Sequence, residues 1–189
     1  MNKPAAILEK TGKLKLTVDE FLLLDNSGAF ESYAKAELLD GEIWIMNAQL
    51  TRHARIKTDL AIELALVLRG MTTDLRPIVE ASTRISQYSL PEPDIAITNY
   101  AGDDYLPLDS LSLVIEIADS SLRIDLGRKL RTYAEARVPE YWVVDIRNHK
   151  LHQMWSPVGK AYLEKRELAL GEIVMSETIA GLRVTVPRT

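Results

Sequence analysis

The stretch "LSLVIEIADSS", residues 111 to 121, constrains this chain more than any other. Leu111, Leu113, Val114, Ile115, Ile117 and Ala118 form a strand-length apolar run, and Glu116 interrupts it. Alternate residues of a strand point to opposite faces, so Val114, Glu116 and Ala118 share one face and Leu113, Ile115 and Ile117 the other. A strand that is apolar on both faces must be covered on both, which calls for a sheet with helices packed against it. A second short run, "PDIAIT" at 93 to 98, reads the same way and carries Asp94. An unpaired charge is expensive to bury, so an acid placed in such a strand usually serves a metal, a cation or a reaction.

The rest of the chain supplies the covering layers. "TVDEFLLLD" is a short helix, with Thr17 and Glu20 spaced as a capping box. Asp40-Gly41, between the apolar runs of "AELLDGEIWIM", is a hairpin signal. "TRHARIKTDLAIELALVLRG" is a long helix whose apolar stripe is Ile56, Leu60, Leu64, Val67 and Leu68, ended by Gly70. "IVEASTRIS" alternates like one half-exposed strand. "IDLGRKLRTYAEARV" is a second helix with Leu126, Leu130, Tyr133 and Ala134 facing inward, stopped before Pro139. "YWVVDI" is a buried strand, a turn at Arg147-Asn148-His149 leads into "LHQMWS", and short strands punctuated by Gly171 and Gly181 follow. The expected fold is α/β or α+β: a mixed sheet flanked by helices, one domain over residues 17 to 189, with residues 1 to 16 a loose arm.

Composition removes several classes of function. The 189 residues suffice for one domain with a core, and none is cysteine, which excludes disulfides, thiolate zinc sites and cysteine nucleophiles. There is no apolar run of about 18 residues and no apolar leader after Met1, so the expected setting is the cytoplasm, without a membrane. The net charge of −4 argues mildly against nonspecific nucleic-acid binding but leaves room for a local basic groove. Gly-rich phosphate loops, dinucleotide fingerprints and nucleophile elbows are absent.

If the strands of Asp94 and Glu116 pair, the two carboxylates converge near one sheet edge, as oxygen ligands suited to Mg²⁺. Asp125 and Lys129, four apart, share a helix face from which Lys129 can reach over the sheet; a plain ion pair between them is the simpler alternative. His53 shares the inward face of the long helix, a position more often filled by a hydrogen-bonded histidine at a core edge than by a catalyst. His149 and His152 straddle a turn and read as surface residues, and Trp142 and Trp155 read as core. Arg123, Arg128, Lys129 and Arg131 could meet a phosphate backbone but more simply form a solvated helix face. The residues alone reach an acid pair with a lysine.

Three segments go further. "ELLDGEI", "PEPDIAI" and "VIEIADSSLRIDLGRKLRTYAEARVPEYWVVD" together resemble the Uma-two family of bacterial restriction endonucleases, in the PD-(D/E)XK nuclease superfamily, over residues 17 to 186. The resemblance implies a restriction-endonuclease-like fold. It makes Asp94 the acid of the Pro-Asp motif and Glu116 the second acid. The lysine usual two residues later is here Ala118, and Lys129 matches members in which it has moved to the following helix. Glu37 matches a further acid near the site, and His53 a family position without an assigned role. Implied with them is Mg²⁺-dependent hydrolysis of DNA, with Mn²⁺ a possible substitute. Asp94, Glu116 and the Ile117 carbonyl would hold the ion, Lys129 would orient the attacking water, and Glu37 would complete the metal shell or bind a water. A homodimer would suit cutting of both strands. Two other readings stay open: a non-catalytic member of the fold that binds nucleic acid or protein, and a metal-independent glycosidase with Asp94 and Glu116 as its acid pair.

Overall fold

The computed structural model describes residues 12–46 and 48–188. In chain order its elements are α1 (Val18–Asn26), β1 (Lys35–Leu39), β2 (Glu42–Met46), α2 (Thr51–Arg69), β3 (Arg76–Val79), β4 (Thr83–Arg84), β5 (Ile95–Thr98), β6 (Leu106–Pro107) and β7 (Leu111–Ala118). There follow α3 (Leu122–Ile124), a π-helical turn (Asp125–Lys129), α4 (Leu130–Glu135), β8 (Glu140–Asp145), β9 (Lys150–Val158), β10 (Ala161–Ala169), β11 (Ile173–Met175) and β12 (Arg183–Thr185). Most of the expected arm, residues 1 to 11, lies outside the described residues; beyond it the Leu16 N–H already donates to the Gly41 carbonyl at 3.0 Å.

A six-stranded sheet in the order β10-β9-β8-β7-β5-β3 forms the centre. Within this sheet β7 and β8 pair in parallel and the other neighbours antiparallel, so the sheet is mixed. The alternation of β7 sorts two cores. Leu113, Ile115 and Ile117 pack with Ile56, Leu60, Leu64 and Leu68 of α2 and with the β11–β12 hairpin. Val114 and Ala118 pack on the other face with Tyr133 and Ala134 of α4. The architecture is the α/β arrangement of a mixed sheet flanked by helices.

Local chemistry explains the elements that matter to the site. Thr17 and Glu20 complete the capping box of α1. Asp40 and Gly41 turn the β1–β2 hairpin with φ of 53° and 79°, the left-handed pair such a tight turn requires. The hairpin is tied down by the Leu90 N–H on the Leu38 carbonyl at 2.8 Å and by burial of Val18, Phe21, Leu38 and Leu90 together.

Some expectations change. "IVEASTRIS" is not one strand: the chain leaves β3 after Val79, passes through Glu80 at a left-handed φ of 51°, and resumes as the two-residue β4. The helix after β7 contains a π turn at Asp125–Lys129. Val67 is only partly buried, and His53 and Lys57 join the inward stripe of α2. Trp142 is core, whereas Trp155 is partly exposed under the Arg166 guanidinium, 5.6 Å from its ring centre. His149 is exposed, but His152 is half-buried, 3.3 Å from Glu167.

Glu140, at the start of β8, is fully buried and accepts from six neutral donors. Trp142 Nε1, Gln153 Nε2 and Ser176 Oγ each lie at 2.6 Å, with the N–H groups of Glu177 and Thr178 and the Thr178 hydroxyl completing the shell. The carboxylate thus pins the 176–178 turn against the sheet. Glu140→Ala strands several buried donors and is expected to cost at least about 3 kcal/mol in urea denaturation, with Glu140→Gln milder. A loss below about 1 kcal/mol for the alanine variant would show that the turn does not depend on this acid.

Candidate active site

The register of β5 against β7 places the two strand acids. Ile95 pairs with Ile115, so Asp94 enters β5 opposite Glu116, at the end where β7 leads into α3. Asp94 Oδ2 accepts the Ile117 N–H at 2.8 Å, a bond that locks one acid to the strand of the other. On β7, Glu116 points to the face covered by the π turn and α4. Lys129 Nζ, from that turn, lies 2.9 Å from Glu116 Oε1. The Tyr133 hydroxyl donates to the same oxygen at 2.9 Å. Glu37, carried over the site by the hairpin, lies 3.0 Å from Lys129 Nζ.

The four residues expected to form the site, Glu37, Asp94, Glu116 and Lys129, therefore border one cleft of about 720 Å³, and each is at most 5% exposed. Glu37 is not the solvated hairpin acid its sequence setting allows. The simple Asp125–Lys129 pair is not the arrangement found either: Lys129 turns to Glu116 and Glu37, and Asp125 takes the Ser121 hydroxyl at 2.5 Å. The wider π turn buries both Asp125 and Lys129. His53 Nε2 lies 2.9 Å from Asp94 Oδ1 and orients that acid from the α2 side.

Several neighbours escaped the sequence reading. Lys57 is buried one helical turn after His53, bonded to Glu80 and to Gln49 Oε1 at 2.6 Å, with Asp94 Oδ1 at 3.7 Å. Its signal was present, a lysine on the apolar stripe of α2. Lys35 Nζ lies 3.0 Å from Glu37 Oε1 and 2.7 Å from the Glu92 carbonyl. Tyr133 was legible only as an inward aromatic. Glu80 carried no periodic signal, because its left-handed backbone interrupts the pattern.

Acids outnumber the amines that face them, and their pKa values follow. Burial, with the carboxylates of Asp125, Asp94 and Glu37 nearby, pushes Glu116 up to about 8 against the pull of Lys129. Burial likewise raises Asp125 to about 6. Burial also works to raise Asp94, but the His53 hydrogen bond and the Ile117 N–H outweigh it and leave that carboxyl below the ordinary aspartate range. Burial works to lower Lys129, yet Glu116, Glu37 and Asp125 hold it well above the ordinary lysine value. Lys129 is a charged donor, not a free amine base.

The donor set is oxygen-rich and suits a hard cation in kind. Among the described residues, no three His, Cys, Asp or Glu side chains already stand as a metal cage. Mg²⁺ commonly takes one or two carboxylates and keeps its waters, so two acids beside a lysine fit its chemistry without such a cage.

The Glu116 shift has a consequence for stability. An unfolded Glu116 releases its proton near 4.5, whereas the folded carboxyl keeps it to about 8. Between those values the native state holds the extra proton, so this group weakens folding as pH rises. Glu116→Gln in EDTA should therefore gain stability relative to wild type from about pH 5 to about pH 8, followed by urea denaturation. A difference that stays flat over that range would mean Glu116 is ionised in the folded protein throughout.

With this geometry established, the chain can be set beside known proteins. A crystal structure of a "putative nuclease belonging to DUF820" from Anabaena variabilis ATCC 29413 superposes with a TM-score of 0.67 at 15% identity, over 90% of this chain and 95% of that one. It shares the fold. Among curated proteins no match is found. The model of the family Uma2, described as "Putative restriction endonuclease", matches residues 18–187. That match spans the cleft and every element around it, and the chain belongs to the Uma2 family.

Proposed function

We propose that the chain is a Mg²⁺-dependent endonuclease of restriction type that hydrolyses DNA phosphodiester bonds, with Mn²⁺ able to replace Mg²⁺. The observation that carries this reading is the buried Lys129 ammonium between Glu116 and Glu37, beside the Asp94–Glu116 pair in an open cleft.

Asp94 and Glu116, with the Ile117 carbonyl, would hold the ion. When bound, it would polarise the scissile phosphate and lower the pKa of a coordinated water. The protein's own groups do the rest. Lys129, kept protonated, offers N–H donors to the attacking water and to charge growing on the phosphate oxygens. Glu37 positions Lys129, and Tyr133 fixes the Glu116 carboxyl from behind. His53, with its proton on Nε2, fixes the orientation of Asp94. A homodimer would present two such clefts to a duplex.

One observation favours a second reading, a non-catalytic member of the fold that binds nucleic acid or protein. Lys129 already engages two of the acids, and no cage is preformed among the described residues. Metal binding separates the two. In the nuclease reading Mn²⁺ binds, seen by calorimetry, and Asp94→Asn or Glu116→Gln abolishes the binding. Indifference of the folded protein to Mn²⁺ and Mg²⁺ would favour the scaffold.

Cleavage gives the direct test. Supercoiled plasmid should be nicked with Mg²⁺ or Mn²⁺ and left intact in EDTA. Lys129→Ala should slow nicking by about 10²–10³-fold, the usual cost of losing a preorganised donor to developing charge. Nicking that survives Glu116→Gln at full rate would place the chemistry elsewhere or in a contaminant.

A further inference from the structure

Of the basic run on the helix after β7, Arg123 and Arg131 are exposed but do not border the cleft. Lys129 is buried in the site, and Arg128 pairs with Glu42 at 2.9 Å while stacking over Trp44 at 4.6 Å. A pair of exposed cations gathered at one point beside the cleft comes instead from two residues far apart in sequence. Arg52 lies in the first turn of α2, immediately before His53, and Arg147 lies in the turn that follows β8.

Both converge on Asp119, just past the end of β7. Arg52 grips its carboxylate with a fork, Nε on Oδ2 at 2.5 Å and Nη2 on Oδ1. Arg147 Nε donates to Oδ1 at 3.1 Å. One negative charge is thus shared by two guanidinium groups, leaving a net positive charge. The Asp119 side chain is 9% exposed, whereas those of Arg52 and Arg147 are 50% and 60% exposed. The acid is spent inside and the cations face water.

A guanidinium has five N–H donors in a rigid plane. Arg52 uses two on Asp119 and Arg147 one, so most of the donors on each stay outside this clamp. Their orientation is already fixed by the shared carboxylate, which reduces the entropy lost on binding an anion. Arg147 and Asp119 border the acidic cleft. Arg147, Arg52 and Ile146 also border a neighbouring depression of about 430 Å³. Asp119 follows Glu116 by three residues, no more than about 10 Å of extended chain, or about three nucleotide steps along one strand.

We propose that Arg52 and Arg147, held on Asp119, form a backbone-contact site for duplex DNA that takes a phosphodiester flanking the one at the acidic cleft. The ligand class rests on the nuclease reading; the site itself rests on the clamp. Planar guanidinium forks match phosphate oxygens two at a time, and a surface ion pair built only for stability has no need of a second exposed arginine.

The test is equilibrium binding of a fluorescein-labelled DNA duplex of about 20 base pairs, by anisotropy, in EDTA over a KCl series. The wild-type protein should show an affinity that falls steeply with salt. Arg52→Ala/Arg147→Ala should flatten the log–log slope by about 2 and weaken binding by at least about tenfold at low salt. Arg52→Lys/Arg147→Lys keeps both charges and a partner for Asp119, so it guards against a folding defect; it should retain the slope while losing several-fold in affinity. Unchanged binding in both variants, or no binding of duplex by the wild type, overturns the proposal. Plasmid nicking measured alongside keeps the two ideas apart. Nicking with arginine-independent binding removes the clamp and leaves the nuclease. Arginine-dependent binding by a protein that nicks nothing in Mg²⁺ or Mn²⁺ supports the clamp and removes the nuclease.

Discussion

An ammonium group withdrawn from water stays charged only where carboxylates surround it, and Lys129 is the point at which this structure meets that condition. The three residues of this cluster come from three separate parts of the chain. Glu116 stands on the central strand, Glu37 on the β1–β2 hairpin, and Lys129 itself on the π turn between α3 and α4. The hairpin does not belong to the six-stranded sheet. Its contact with Lys129 fixes where it lies over the cleft, together with the Leu38–Leu90 bridge. Fold and site thus share one electrostatic requirement.

That requirement is met unevenly. Lys129 and His53 face an excess of carboxylates, and the imbalance falls on Glu116 and Asp125, whose protons are retained above the ordinary acid range. Asp94 has the opposite character. The Ile117 N–H and His53 stabilise its charged form, and its pKa falls. Two neighbouring acids are thus driven apart in pKa by their surroundings. The helices divide the work by face: α2 orients Asp94 through His53, and the π turn and α4 orient Glu116 through Lys129 and Tyr133.

The sheet is what allows this division. β7 is covered on both faces, so its side chains can be addressed from two directions. Glu116 meets one layer, while Ile115 and Ile117 anchor the other. Asp119, where β7 ends, emerges from both layers and gathers Arg52 from α2 and Arg147 from the turn after β8. Glu116 in the acidic interior and Asp119 with its two arginines are thus three residues apart, on one strand and at its exit.

Much of this was legible in the residues. The alternation of "LSLVIEIA" determined a strand covered on both sides, because side-chain direction along a strand is a local property. Thr17 with Glu20, and Asp40 with Gly41, determined a cap and a turn for the same reason. Asp94 and Glu116 were conspicuous because an acid in an apolar run is costly wherever the strand lies. Other features needed the tertiary structure. The burial of Glu37 depends on where the hairpin docks, which hairpin residues alone do not encode. The π turn differs from an α-helix by one hydrogen-bond step, too small a change to mark the apolar spacing. Asp119 gains its two arginines from positions 67 and 28 residues away, and long-range pairing of surface charges leaves no period in a sequence. The sequence by itself determined which strands are buried and which carry acids, since those follow from local period and burial cost. Only the tertiary structure decided which cations those acids meet, since that depends on how separate elements pack.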